Sequence, residues 1–233
     1  MATFVLVPGA WLGGWCWGDV ATCLQAGGHR VISATLTGLG ERAHLVSPEV
    51  GLQTHVSDVV GLLHFRDLSG ATLVGHSYGG TVITAVAEQA STRIRRLVYL
   101  DASVPRDGES NNDVLGPELA AQIRSAANAA GTGLVPPISV AGWGLSSAMR
   151  PWVEARLTPH PLRSLEEPVR LVSKAAARLP RAFIRSSTQS ALYGRLMERG
   201  REAGWHCRDL PGGHYPMLTE SEALALSLAE MPV

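Results

Sequence analysis

The sequence predicts an α/β domain with a mostly parallel central sheet flanked by helices, and three observations carry that prediction. Short apolar runs alternate with longer helical patterns along most of the chain, the pattern that strands and crossover helices of a parallel sheet leave in a sequence. A glycine-flanked serine, Gly75-His76-Ser77-Tyr78-Gly79, sits between an apolar run and a small-residue helical run. A proline-punctuated stretch over 105–180 interrupts the alternation with helical patterns and no convincing strand. At 233 residues the chain suits one such domain with an insertion and a full core.

The elements follow in order. Residues 4–7 read as a first strand, and a helix over 17–26 is closed by Gly27-Gly28. A strand over 30–36 and a helix over 55–65 come next, with Thr54 placed to cap the helix. The strand 72–74, the helix 79–89 and the strand 97–101 surround the serine, and the last of them ends on Asp101. Within 105–180 the helical patterns fall at 118–129, 148–157 and 165–177. The alternation resumes with strands at 182–185 and 206–210 and helices at 192–200 and 222–230. Residues 1–104 and 181–233 therefore form the core, and 105–180 a helical lid over the C-terminal edge of the sheet, where open α/β sheets bind ligands. Packing helices with no part in substrate choice are the plainer reading of the same stretch.

Composition narrows the partners. Twenty basic residues balance twenty acidic ones, which argues against nucleic acid, a polyanionic substrate or an anionic membrane surface. Lys174 is the one lysine, so lysine chemistry would have to be its own. Cys16, Cys23 and Cys207 are an odd number at unrelated spacings, and suggest neither a disulfide framework nor a metal site. The N-terminal run has no basic segment before it and no small-residue cleavage site after it, and no apolar stretch reaches the length of a membrane span. A soluble cytoplasmic protein acting on a small molecule is expected, with a homodimer left open.

Ser77 is the expected nucleophile. Lifting a serine on a sharp strand-to-helix turn needs neighbours without bulk, which Gly75 and Gly79 supply. The following helix aims its first N–H groups at the same spot, where they favour negative charge. A serine hydroxyl needs a histidine base, and the base needs an acceptor that fixes its tautomer. Of eight histidines, His214 stands in a turn, Pro211-Gly212-Gly213-His214-Tyr215-Pro216, at the same sheet edge as Ser77. His76 is set aside because its neighbour's turn should point it away, and His29, His44, His55, His64, His160 and His206 read as surface or satisfied structural residues. Asp101 is the expected acid, since it ends the strand after the nucleophile's helix; capping the Ser103-Val104-Pro105 turn is its alternative role. Glu198 and Glu202 look solvated, and Asp209 is too close to His214 in sequence to reach its ring. The oxyanion donors are expected to be the backbone N–H groups of Tyr78 and of Ala10, in the loop after the first strand. Trp11, Trp15 and Trp17 suggest an aromatic pocket wall, or equally a first-turn core.

The run Gly38-Leu39-Gly40-Glu41-Arg42-Ala43, with Asp58 downstream, matches a dinucleotide-binding pattern in spacing. It follows the second strand, and Pro48 and Gly51 interrupt the helix that should hold the phosphates, so a loop at the pocket rim is the better reading. Metal ligation has no support from spacing.

These residues resemble the plant methyl salicylate esterase and hydroxynitrile lyase branch of the α/β-hydrolase superfamily, with its bacterial relatives. The resemblance rests on Phe4-Val5-Leu6-Val7-Pro8-Gly9-Ala10-Trp11, Leu36-Thr37-Gly38-Leu39-Gly40-Glu41-Arg42, Gly75-His76-Ser77-Tyr78-Gly79-Gly80, Leu97-Val98-Tyr99-Leu100-Asp101-Ala102 and Gly213-His214-Tyr215-Pro216-Met217-Leu218. It implies an α/β-hydrolase fold with a helical lid, no cofactor, and ester substrates with an aromatic or other apolar acyl group. Trp11, Leu12 and Tyr215 are then the expected substrate contacts. The chain departs from the pattern at three places. The family's His-Gly opening is Pro8-Gly9 and its second loop histidine is Leu12. Its usual aspartate matches Gln189, while Asp101 matches the alternative acid of the related haloalkane dehalogenases. The lyases' threonine and lysine are Gly9 and Tyr215, which argues against cyanohydrin cleavage.

The expected activity is cofactor-independent hydrolysis of a small carboxylic ester, such as a methyl ester or lactone, through an acyl-enzyme on Ser77. The lost histidines and acid motivate one rival, a decarboxylase, lyase or cyclase of secondary metabolism in the same pocket; a small-molecule binding protein with vestigial catalysis is a second.

Overall fold

A computed structural model of the protein describes residues 1–186 and 190–231. The elements run β1 (Thr3–Val7), α1 (Gly18–Ala26), β2 (Arg30–Ser33), α2 (Leu52–Phe65), β3 (Ala71–His76), α3 (Gly79–Ala90) and β4 (Ile94–Leu100). The inserted stretch holds α4 (Asn111–Leu115), α5 (Pro117–Ala130), β5 (Leu134–Val135), α6 (Arg150–Glu154), β6 (His160–Pro161), α7 (Leu162–Glu166) and α8 (Lys174–Ala177). The chain then returns through β7 (Arg181–Arg185), α9 (Ala191–Glu202), β8 (His206–Asp209), α10 (Pro216–Thr219) and α11 (Ser221–Ala229).

Six of the strands form one parallel sheet in the order β2-β1-β3-β4-β7-β8. Alternation along each strand sends successive side chains to opposite faces, and two buried clusters result. Val5, Val7, Leu73, Leu97, Tyr99 and Phe183 pack toward α2, α3 and α9, while Phe4, Leu6, Val74, Val98, Leu100 and Ile184 pack toward α1 and α11. With helices on both faces the central strands are buried on both sides, as β3 is throughout its length.

Several boundaries differ from the sequence expectation. The strand expected over 30–36 stops at Ser33. Beyond it the Asp58 carboxylate gathers the loop, accepting from Thr37 N at 2.6 Å, Thr37 Oγ1 at 2.9 Å and Arg42 Nη1 at 2.7 Å. Asp58 is thus occupied in holding that loop. Helix α2 begins one turn early, with Gly51 and not Thr54 at its cap. The helix expected over 165–177 is divided between α7 and α8, because Pro168 forces Glu167 into an extended conformation (φ −71°, ψ 122°). β5 and β6 form a short antiparallel pair where no strand was expected.

Candidate active site

The loop after β1, the β3–α3 turn and the ends of β4 and β7 meet at the C-terminal edge of the sheet. Ser77 occupies the turn with φ 52°, a left-handed conformation that non-glycine residues seldom adopt. Backbone bonds hold it there: its N–H donates to Leu100 O at 3.2 Å and its carbonyl accepts from Ser103 N at 3.0 Å. The loop after β1 presses on this turn. A Cβ at Gly79 would meet the carbonyl oxygens of Val7 and Pro8 at 2.7 and 2.8 Å, and one at Gly9 would meet the Ser77 Cβ at 2.9 Å. Only glycine permits either approach.

Asp101 and Trp11 are also left-handed, at φ 41° and 64°. Thus three of the four non-glycine residues with positive φ among the described residues lie at this edge, the fourth being Asp67 after α2. Such strain persists where surrounding structure over-determines the backbone. The Asp101 carboxylate is fully buried, accepts from Ser186 N at 2.9 Å, and faces His214 Nδ1 at 3.5 Å. The imidazole of His214 is one-quarter exposed, and its backbone carbonyl accepts a 2.8 Å hydrogen bond from His76 Nε2. His76 therefore does not point away from the site. Its ring lines the cavity beside Ser77, 4.7 Å from the His214 ring, and burial with His214 nearby holds it well below the usual histidine range, hence neutral.

A cavity of about 250 Å³ opens over Ser77 and His214. Ala10, Trp11, Tyr78, Tyr193 and Tyr215 line its core side; Asn111, Leu115, Leu119, Ile123, Ile138 and Leu165 of the insertion line the other. Leu12 is not among these residues. It is fully buried with Phe4, Leu6 and Trp17, because the left-handed turn at Trp11 directs the next side chain inward, and the expectation of a substrate contact there is corrected. Among the described residues the N–H groups of Ala10 and Tyr78 have no protein acceptor, whereas that of Trp11 is taken by His160 Nδ1 at 3.4 Å. Gln189 lies outside the described residues.

Behind the cavity runs a buried polar network. Tyr78 hydroxyl meets His55 Nδ1 at 2.8 Å, and His55 Nε2 donates to Thr37 O at 3.0 Å. His160 Nε2 donates to Ser164 Oγ at 2.9 Å, and Ser164 Oγ donates to Pro161 O at 2.8 Å. Burial lowers His55 to about 4 and keeps His160 neutral as well. Sequence reasoning missed the place of Tyr193, whose ring stacks on His214 with centroids 5.0 Å apart and planes 12° apart. Its one sequence signal is position, an aromatic in the first turn of the helix after a sheet-edge loop. Among the described residues no group of three or more His, Cys, Asp and Glu side chains could hold a metal.

The arrangement is a hydroxyl on a strained turn, an imidazole backed by a carboxylate, and two cavity-lining residues, Ala10 and Tyr78, whose N–H groups have no acceptor among the described residues. Such parts can carry out acyl transfer. A model of the alpha/beta hydrolase family matches residues 4–226, and the chain belongs to that family. It is 39% identical to a carbendazim hydrolyzing esterase of Nocardioides sp. (strain SG-4G), over 99% of this chain and 100% of that one. It is 32% identical to putative methylesterase 13, chloroplastic, of Arabidopsis thaliana, over 50% of this chain and 26% of that protein. Among solved structures it superposes at TM-score 0.88 and 25% identity on an extracellular alpha/beta-hydrolase from a Paenibacillus species, described as sharing structural and functional homology with Tobacco Salicylic Acid Binding Protein 2. That match covers 99% of this chain and 98% of the other. Within its family the chain is a carboxylic ester hydrolase.

Proposed function

We propose that this ester hydrolase is a serine esterase that cleaves a small apolar or aromatic carboxylic ester through an acyl-enzyme on Ser77. His214 acts as base and then acid, Asp101 fixes the imidazole with its proton on Nδ1, and the Ala10 and Tyr78 N–H groups bind the oxyanion. The observation that carries this reading is the convergence of left-handed Ser77 and Asp101 with His214 at one end of an apolar cavity. The 3.5 Å separation of His214 and Asp101 is long for a hydrogen bond, and catalytic contacts of this kind tighten when substrate binds. Residues 105–180 act as the lid, since six of their side chains wall the cavity opposite the sheet. The apolar lining supports an acyl group without charge, and Trp11 and Tyr215 lie where they would touch it. The Nocardioides relative makes carbendazim a substrate to try beside aryl methyl esters.

The test is labelling with a fluorophosphonate probe together with turnover of an activated aryl ester. Native protein should label and turn over, and Ser77→Ala should do neither. Equal labelling of the two proteins would sink the assignment of Ser77.

A further inference from the structure

Of the six side chains that the inserted segment contributes to the cavity wall, five are leucine or isoleucine and one, Asn111, is an amide. Asn111 is 3% exposed. It opens α4, whose start is fixed by a reciprocal pair: Ser110 Oγ accepts from Asp113 N at 3.2 Å, and the Asp113 carboxylate accepts from Ser110 N at 2.8 Å. An amide in an apolar wall costs free energy unless its hydrogen bonds are made, and here the protein makes them for one end only. Asn111 Oδ1 accepts from Ser103 Oγ at 2.8 Å and, more distantly, from Thr81 Oγ1 at 3.5 Å. Asn111 Nδ2 donates to no atom among the described residues and keeps accessible surface, whereas both amide atoms of neighbouring Asn112 are shut away without a partner.

The two hydroxyls decide which end of the amide is which. Ser103 and Thr81 are buried, and Asn111 Oδ1 is the only acceptor their side chains have among the described residues. With the amide turned over, both hydroxyl protons would be left without one, at a cost for each. The oxygen therefore faces the hydroxyls and the NH2 group is the end left for the cavity. We propose that Asn111 is a specificity-determining residue, whose Nδ2 donates to an uncharged hydrogen-bond acceptor, an ether or carbonyl oxygen or a ring nitrogen, on the acyl group of the substrate. The proposal rests on the serine esterase reading above, which seats the acyl group against this lining.

The amide is tied to the nucleophile's own turn. Ser103 N donates to Ser77 O at 3.0 Å, so one residue holds the serine through its backbone and Asn111 through its hydroxyl, while Thr81 lies in the first turn of the helix that Ser77 precedes. The group that Asn111 reads is accordingly close to the scissile carbonyl. Its charge follows from the lining, which has no lysine or arginine among the described residues; an anionic acceptor would be desolvated there with one neutral donor for company. A wholly apolar acyl group would fit the leucines and isoleucines but leave Nδ2 unpaired once the cavity is filled, and a donor left unpaired in a filled site is how a pocket rejects the analogue that lacks the acceptor.

The test compares the phenyl ester of cyclohexanecarboxylic acid with phenyl esters of the tetrahydropyran-2-, 3- and 4-carboxylic acids, which have the same shape and carry one ether oxygen at successive positions. With each kcat/KM divided by the ester's rate of alkaline hydrolysis, native protein should favour one of the ethers over the carbocycle by about 5- to 20-fold, mostly through KM. Asn111→Leu should bring that ratio to within about two-fold of one. Because the leucine strands the Ser103 hydroxyl, Asn111→Leu with Ser103→Ala removes both partners together and should give the same ratio. Damage to the fold alone would lower all four rates and leave the ratio as it was. A native protein that labels with a fluorophosphonate but prefers none of the ethers, or a preference that survives in both variants, would overturn the role of Asn111 and leave the serine reading standing. Native protein that neither labels nor cleaves any of the esters would overturn both.

Discussion

Asp101 is where a single atom pair decides most. It is fully buried at a left-handed backbone position, and its two oxygens face Ser186 N and His214 Nδ1. Asp101→Asn preserves the shape but offers the imidazole an amide, which favours the wrong tautomer and cannot stabilise the imidazolium. In a serine protease triad the same exchange lowers turnover by about ten-thousand-fold, roughly 5 kcal/mol. Turnover of an aryl ester by Asp101→Asn should approach that loss while its melting temperature stays near native; a loss below about ten-fold would remove Asp101 from the relay. Ser77, His214 and Asp101 were legible because each lies beside a strand end with its own local signature. Tyr193 and His76 were not. Nothing around Tyr193 in the sequence distinguishes it from a core aromatic, and His76 was judged by its neighbour's turn when its ring in fact reaches the His214 carbonyl.

The inserted segment is the element the sequence described least well, for physical reasons. Its strands β5 and β6 have two residues each, too short to show any period. Its longest expected helix after α5 breaks at Pro168, where the residue before a proline leaves the helical region. The segment is nevertheless joined closely to the loop after β1. Trp11 Nε1 donates to Val135 O at 3.1 Å, Trp11 N donates to His160 Nδ1, and Trp11 O accepts from Thr158 N at 3.1 Å. The segment that walls the cavity therefore also positions the residue next to Ala10. Ile138 separates the two roles, because it lines the cavity yet is 45% exposed and lies outside the helices. Ile138→Ser should lower kcat/KM for apolar esters by about five- to ten-fold, mostly through KM, as expected for one lost apolar contact of about 1 kcal/mol. Its unfolding midpoint in urea should stay within about 0.5 kcal/mol of native. Unchanged KM values across a series of lengthening acyl chains would take this wall out of substrate selection.

At the scale of the whole molecule the parallel sheet was legible because each central strand is an apolar run between helical patterns, and the order of the elements left few topologies open. What the sequence did not reveal is that three histidines, His55, His76 and His160, are buried and neutral around the site. They link folding to pH. His55 bridges the loop after β2 to the Tyr78 hydroxyl, and burial lowers it to about 4 although Asp58 and Glu167 pull the other way and Arg42 adds to the burial. In the unfolded chain the same ring titrates near its ordinary 6.5. Between those values the unfolded state binds the extra proton, so this contribution to stability is full above pH 6.5 and falls as the pH drops toward 4. For His55 alone the loss reaches about 3 kcal/mol. His160, with its ring 5.8 Å from that of His55, adds to the loss in the same direction. Urea unfolding at pH 7.5 and pH 4.5 should therefore show a marked fall for the native protein. His55→Gln, which keeps a donor and an acceptor without a titrating group, should begin less stable and lose about 2–3 kcal/mol less over the same interval. Equal losses in the two proteins would mean that the acid sensitivity arises elsewhere in the fold.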